Sequence, residues 1–413
     1  MQSIIRKTLR CGMPLIVEPM RGVQSAGVSW LLPAGHVHEP EKFEGLGVLW
    51  SELLLRGAGE LDSRDQADAF DRLGASRSAS SGTYHLHLSL TALGARVEQA
   101  LELMVDMVRR PRIDKAGLEA SRDLALQALE SLADEPQERA FIAARSRHRP
   151  PPLNRSGLGR EDSLAAIQQD DLTNYWQRLA LPVGSFIGVA GAVDAEAIEN
   201  RLNALLGDWS GTTTTPDFDL VGPRGYGHEA DETNQVQVVV VHDAPSEGDE
   251  DAWLERVVVN VLSGGMSGRL FTEVREKRGL CYSVSAGYKT SRESGAVTAY
   301  VGTAPDRAQQ SLDVLMAELE RIHQGIDESE FARAMTGMKS RLVFSGESTS
   351  ARAAALTSDM AKIGRPRSLS ELAERIDRIS LSEVNDYLKR RRLGRLTIQT
   401  LGPAALIPPI GTA

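Results

Sequence analysis

Two side chains stand out as able to do chemistry, Arg275 and Tyr282, in the run SGGMSGRLFTEVREKRGLCYSVSAGY from Ser263 to Tyr288. A guanidinium and a phenol are both hydrogen-bond donors, and two donors that converge on one oxygen can stabilise negative charge growing there. The intervening residues predict how the pair is held. Leu270, Phe271 and Val274 fall at i, i+1 and i+4, one apolar helix face, so a helix is expected over Arg269 to Lys277. Gly279 would end it. A β-type alternation begins at Cys281, which puts Arg275 in the last helical turn and Tyr282 at the start of the next strand. In the competing reading Arg275 pairs with Glu273 or Glu276 on a solvated face, where ion pairs contribute little, and Tyr282 is an ordinary strand aromatic.

Ahead of this helix lie Gly264, Gly265, Met266 and Ser267, followed by Gly268. Such a loop either lets backbone approach an extended peptide or simply turns the chain before a helix. No Lys-Ser/Thr follows the glycines, so a nucleotide-phosphate loop is excluded.

The surrounding elements repeat. Ile167, Leu172 and Tyr175 in SLAAIQQDDLTNYWQRL recur in the same spacing as Ile379, Val384 and Tyr387 in RIDRISLSEVNDYLKRR. RIDKAGLEAS is echoed by GIDESEFARA, and both halves close on a strand ending in glycine, FIGVAG and LTIQTLG. Two copies of one α/β unit explain this pattern. The Thr-, Pro- and Gly-rich stretch SGTTTTPDFDLVGPRGYG marks the boundary, giving expected domains 1–210 and 228–413 with a linker at 211–227. In the first half, strands are expected at Leu15 to Glu18, Ser25 to Leu32 and Gly82 to Leu90, and helices at Gly45 to Gly57, Arg96 to Val108 and Lys115 to Leu132. The second half repeats the order: strand Val236 to Val241, helix Trp253 to Leu262, strands Tyr282 to Tyr288 and Ala296 to Gly302, then helices Ala308 to His323 and Glu328 to Val343. The expected class is α+β, with helices layered on one face of each sheet.

Composition narrows the function. A 41% hydrophobic, 25% charged chain is an ordinary globular protein, and its length suggests two or three domains. A net charge of −9 leaves no basic footprint for nucleic acid. No run of eighteen apolar residues and no apolar segment of the signal-peptide kind occurs, so neither a membrane span nor a signal peptide is expected. Two cysteines, Cys11 and Cys281, are too few for a disulfide framework or a thiolate zinc site, which fits a reducing compartment. The expected location is the cytoplasm, or the periplasm if an export signal has been removed.

The run GGMSGRLFTEVREKRGLCYSV resembles the signature of the pitrilysin/insulinase class of zinc peptidases, peptidase family M16, and in particular its small two-domain subunits, the group that includes the mitochondrial processing peptidases. The resemblance extends over nearly the whole chain. It implies two homologous α/β-sandwich domains of the LuxS/MPP-like metallohydrolase fold, each with a mixed, mainly antiparallel sheet. It also implies that Arg275 and Tyr282 form the family's R/Y pair, which binds the substrate carbonyl beside the metal, and that the loop at Gly264, Gly265, Met266 and Ser267 lies against substrate.

Peptide-cutting members of that family have H-x-x-E-H on the first helix, two imidazoles on one face and a Glu that activates metal-bound water. The corresponding segment here is GLGVLWSELLLRGA. It places Val48 and Glu52 at the two His positions and Ser51 at the Glu position, while Gln127 stands at the third-ligand position. No zinc is therefore expected in this chain. His36 and His38 neighbour Glu39, and His85 and His87 sit at i, i+2 on one side of a strand; such a pair can be part of a metal site, but no third ligand stands at a suggestive spacing, and a solvated face is expected, with Tyr84, Leu86 and Leu88 turned inward. His148, before Pro150, is expected to be structural.

The resemblance thus implies half of an active site. The leading expectation is the non-zinc subunit of a heterodimeric peptidase acting on short or unfolded peptides, with the zinc and H-x-x-E-H supplied by a homologous partner. The alternatives are a scaffold like the core subunits of the cytochrome bc1 complex, and a peptide-binding homodimer without catalysis.

Overall fold

The run VQVVVVHDA at Val236–Ala244 lacks the polar–apolar alternation of a half-solvated strand, and it is buried along most of its length. Alternate residues go to opposite faces. Val236, Val238 and Val240 enter the main core of their unit, whereas Val239 and Val241 pack beneath a second, smaller cluster on the other side. Pro14–Pro19 behaves likewise, with Leu15 and Val17 in one cluster and Ile16 in another.

The computed structural model describes residues 3–213 and 217–409. Its strands, in chain order, are β1 (Ile5–Thr8), β2 (Pro14–Pro19), β3 (Ser25–Leu32), β4 (Ser76–Ser81), β5 (Leu86–Leu93), β6 (Phe186–Gly191), β7 (Gly225–Ala230), β8 (Val236–Ala244), β9 (Cys281–Thr290), β10 (Gly295–Thr303) and β11 (Thr397–Gly402). One sheet has the order β1-β2-β6-β3-β5-β4 and the other β7-β11-β8-β10-β9. In each, one pair is parallel, β2 with β6 and β7 with β11, and the remaining pairs are antiparallel. Without β1 the two orders are the same, so the sequence repeat is a repeat of topology. Its marker residues are core residues in both copies: Leu172 and Val384 are fully buried, one on the helix Gln169–Leu179 and the other on the helix Leu381–Arg390.

The compact units are not the contiguous halves 1–210 and 228–413. One comprises described residues of Met1–Ser131, Arg155–Phe218 and Phe344–Ser368, the other Leu132–Asn154, Asp219–Val343 and Leu369–Ala413. Each unit therefore takes one helix from the other half of the chain. Thr349–Ile363 packs on β3 and β6, and Pro136–His148 packs on β8 and β11. These two helices cover the sheet faces opposite the main helical layer, the reason β2 and β8 are apolar on both sides. Of the expected linker 211–227, Thr214 to Pro216 lie outside the described residues, and β7 begins inside it at Gly225.

The helix Thr349–Ile363 approaches its sheet closely. A Cβ on Gly27 of β3 would lie 2.5 Å from Ser350 N, and one on Gly188 of β6 would lie 2.8 Å from Ala353 O. Arg352, 2% exposed, donates through Nε (3.0 Å) and Nη2 (2.5 Å) to Glu18 Oε2, itself 1% exposed. Removing one member of such a buried pair costs about 3–5 kcal/mol. The same helix corrects the expected solvated face at His85 and His87. Ser29 Oγ bonds both His87 Nε2 (2.9 Å) and Thr357 Oγ1 (2.8 Å), and His85 packs edge-on against Phe186. His148 is buried in the other unit against Thr397 Oγ1 (3.0 Å) and Asp243 (3.4 Å).

The second unit has a buried polar knot. Glu255 accepts from Tyr387 OH (2.6 Å) and from Arg391 Nε (2.8 Å) and Nη2 (2.7 Å). Arg391 Nη2 also donates to His242 Nε2 at 3.1 Å, so the His242 proton resides on Nδ1 and goes to the Asp243 carbonyl at 2.8 Å. Burial first, and then the facing Arg391 charge, lower the His242 pKa to about 4, against the pull of Glu255 and Asp243. Unfolded, this histidine titrates at the ordinary value of 6.5. Between these values the unfolded chain binds the extra proton, so the contribution is complete above pH 6.5 and is lost as pH falls toward about 4. Denaturant midpoints at neutral and acid pH are expected to decline in the native chain and to decline less in His242→Gln, whose side chain can still accept from Arg391. Identical declines would exonerate His242.

Candidate functional site

The segment with Arg275 and Tyr282 is built from two departures from regular backbone. The helix Asp251–Ser263 ends where the Gly264 N–H bonds Asn260 O (2.7 Å), and Gly265 turns the chain at φ +147°. Arg269 then fixes the start of the next helix, donating through Nε (2.6 Å) and Nη2 (2.7 Å) to Glu330. Over Phe271–Glu276 that helix widens: the Lys277 N–H reaches back five residues to Thr272 O (2.9 Å) and Leu280 N–H six residues to Val274 O (3.0 Å). Wide turns of this kind are uncommon and often sit at functional positions. Gly279, at φ +59°, closes the helix as the sequence predicts.

The second departure is in β9. Gly302 pairs with Ser283 and Thr303 with Cys281, so Tyr282 is the extra residue of a bulge. A bulge re-aims the side chain it carries. Val274 and Leu280 are buried, while Arg275 between them is exposed and Tyr282 is 71% exposed. β9 is also the edge strand of its sheet.

Arg275 has neither of the ion-pair partners in the competing reading. Glu273 is taken by Lys277 Nζ (2.7 Å) and Arg278 Nη1 (2.7 Å), and those bonds lower its pKa to about 2. Among the described residues Arg275 makes no ion pair. Its guanidinium lies 4.9 Å from the Phe271 ring centroid, a cation–π contact that orients it without consuming its donors. It also acts on Cys281, the neighbour of Tyr282: burial pushes that thiol up to about 11, and Arg275 pulls the other way. Tyr282 OH has no hydrogen-bond partner among the described residues. The loop residue Met266 is 74% exposed, and Gly264, Gly265, Met266 and Ser267 border a cavity of about 180 Å³.

The positions corresponding to the zinc motif fall on the helix Leu46–Leu53, and Gln127 falls on the helix Lys115–Ser131 packed against it. Their side chains do not fit a metal. Val48 has no donor atom, Ser51 Oγ donates to Gly47 O (2.8 Å), Glu52 faces Arg56 (3.8 Å), and Gln127 is exposed. The nearby Glu39 is not free to ligate either, because its carboxylate accepts the Gly45 (2.9 Å) and Gly47 (2.8 Å) amides at the start of that helix. Among the described residues no three His, Cys, Asp or Glu are grouped to hold a metal.

Two models of one family match the sequence: Insulinase (Peptidase family M16) over residues 17–150 and Peptidase M16 inactive domain over residues 166–338. The chain is an M16-family peptidase-like protein. This M16 chain is 27% identical over 412 residues to an uncharacterised zinc protease of Mycobacterium tuberculosis, covering 96% of this chain and 93% of that one. It is 24% identical over 412 residues to the uncharacterised zinc protease YmxG of Bacillus subtilis, covering 98% and 100%. Its fold matches a peptidase M16 inactive domain protein from Pseudomonas fluorescens with TM-score 0.87 at 19% identity, covering 98% and 99% of the two chains. It also matches a chain of Complex III2 from Candida albicans with TM-score 0.82 at 15% identity, covering 97% and 96%. No helix among the described residues is long and apolar enough to cross a membrane.

Sequence reasoning missed Arg269, the anchor of the helix, and Arg256; neither spacing nor residue type distinguishes them from surface arginines. The placement of Arg275 is open to a direct check. In a Cys11→Ser background, alkylation of Cys281 at about pH 9 is expected to slow in Arg275→Gln, because removing a nearby positive charge leaves less thiolate. An unchanged rate would put the guanidinium elsewhere.

Proposed function

We propose that this chain is the non-zinc subunit of a heterodimeric M16 peptidase, lending Arg275 and Tyr282 to the active site of a homologous partner that carries H-x-x-E-H. The observation that carries the reading is the pairing of two exposed, unpartnered donors on irregular backbone with a first helix that holds no metal donor set. Its substrates would be short or unfolded peptides, since an extended backbone can run beside an edge strand.

In the partner's site, zinc would polarise the scissile carbonyl and activate water. This chain's part is electrostatic. Arg275, steadied on Phe271, and Tyr282, turned outward by the bulge, would donate to the carbonyl oxygen and strengthen their hold as it becomes an oxyanion. The glycine loop would lie against the peptide backbone. Neither subunit alone would be an effective peptidase.

A scaffold role is the second reading, favoured by the fold match to the Complex III2 chain. A scaffold has no use for two donors left unpartnered in solvent, which supports the first reading over it.

The test is a quenched-peptide assay with this chain, a homologous H-x-x-E-H chain from the same organism, and their mixture, each with and without chelator. Hydrolysis is expected only from the mixture, lost on chelation and reduced about 10²- to 10³-fold, roughly 3–4 kcal/mol, in Arg275→Ala or Tyr282→Phe. Chelator-sensitive hydrolysis by this chain alone would overturn the proposal, and a stable but inactive pair would favour the scaffold.

A further inference from the structure

The second unit contains a cavity of about 390 Å³ between the helix Asp251–Ser263, the strand β9 and the helices Glu328–Glu347 and Leu369–Asp377. That volume accommodates an amino-acid side chain with its backbone end group. Most of the wall is apolar, including Val259, Ala286, Met338, Leu342, Leu372 and Ile376. The polar part comprises the neutral Asn260, Ser263 and Tyr288 and two cations, Arg256 and Arg341, and among the described residues no Asp or Glu lines the cavity.

Arg256 is held in place on several sides. Its Nη2 donates to the buried Glu247 at 2.6 Å, and its guanidinium lies 4.9 Å from the Trp253 ring centroid and 5.5 Å from that of Tyr288. Its Nη1 is buried and has no hydrogen-bond partner among the described residues. A buried donor without an acceptor is an unfavourable arrangement that an incoming acceptor would relieve. Arg341 is exposed and makes no ion pair among the described residues. It contacts Asn260 Oδ1, and the Asn260 amide is fixed in turn by donating to Arg256 O at 2.8 Å. Glu247 offsets one of the two positive charges and the other is left over. An apolar chamber with a surplus cation selects an anion with an apolar body.

The walls also indicate what kind of anion. Ala286 and Tyr288 belong to β9, the strand that carries Tyr282 near its start, and Ala286 lies about 13 Å along it at roughly 3.3 Å per residue. Asn260 borders both this cavity and the smaller one lined by the glycine loop. An extended peptide lying along this surface would reach the cavity about four residues from the bond at Tyr282. We propose that the cavity binds the C-terminal residue of a peptide, with its apolar side chain inside and its α-carboxylate on Arg256 and Arg341. The assignment rests on the peptide-binding reading above and adds to it a preference for substrates whose free C-terminus is a few residues beyond the cleaved bond.

The test needs neither zinc nor partner. Fluorescence anisotropy of the full chain would be measured with an N-terminally labelled ten-residue peptide ending in Phe, as the free acid and as the amide, with laurate as competitor. The acid is expected to bind about tenfold more tightly than the amide, about 1.4 kcal/mol. Arg341→Glu, at an exposed position, should abolish that preference, and Leu372→Trp, which fills the cavity, should weaken both peptides. Circular dichroism would verify that each variant is folded. Tyr282→Phe should leave the preference intact even where it impairs hydrolysis by the mixture, so the two proposals fail separately. Equal affinity for acid and amide, a preference that survives Arg341→Glu, or binding of laurate without any acid–amide difference would each overturn the assignment.

Discussion

The placement of both donors depends on the short backbone path from Val274 to Tyr282. Val274 and Leu280 are both buried, so the chain is pinned to the core on either side of Gly279. A regular helix running into a regular strand would leave the two donors wherever the alternation put them. Here the helix widens by one step, Gly279 reverses the chain at φ +59°, and the bulge adds one residue to β9. Arg275 and Tyr282 are each set next to a buried anchor and yet face solvent. The Phe271 ring and the Glu273 ion-pair cluster complete the arrangement, the ring by steadying Arg275 and the cluster by occupying the carboxylate that would otherwise compete for it.

The first unit complements this. The helix Leu46–Leu53 is satisfied by its own surroundings: Ser51 bonds within the helix, and Glu39 caps the helix start. Burial raises the Glu39 carboxyl to about 7, against the pull of the Gly45 and Gly47 amides and Arg155. Nothing in this set awaits a cation. Satisfied groups at one site and unpartnered donors at another are what the proposed pairing with a zinc-bearing partner requires of this chain.

Much of this was legible in the sequence. The topological repeat followed from Ile167, Leu172 and Tyr175 and their counterparts, strand β3 was read to the residue, and Gly279 as a helix stop is a local property that needs no tertiary information. The features that escaped were non-local or carried no pattern. β4, SRSASS, has no hydrophobic alternation because it is a sheet edge exposed at every second residue. The exchange of Thr349–Ile363 and Pro136–His148 between halves depends on which sheet face each helix finds, and its traces in the sequence are the unbroken apolar runs of β2 and β8. The bulge at Tyr282 is a matter of register with β10, which spacing alone does not reveal. Trp253 and Arg256 lie one helical turn apart, but only the fold brings Tyr288 beside them.

In the proposed role, Arg275 and Tyr282 act on the oxyanion more than on the bound peptide, and tetrahedral mimicry separates the two. The most direct measurement is the affinity of the mixed complex for a phosphinic peptide, in which a tetrahedral phosphorus replaces the scissile carbonyl, compared with that for an uncleavable ground-state peptide of the same sequence. Arg275→Gln and Tyr282→Phe are expected to weaken the phosphinic peptide at least about tenfold more than the ground-state one. Equal weakening of both, or none, would contradict it.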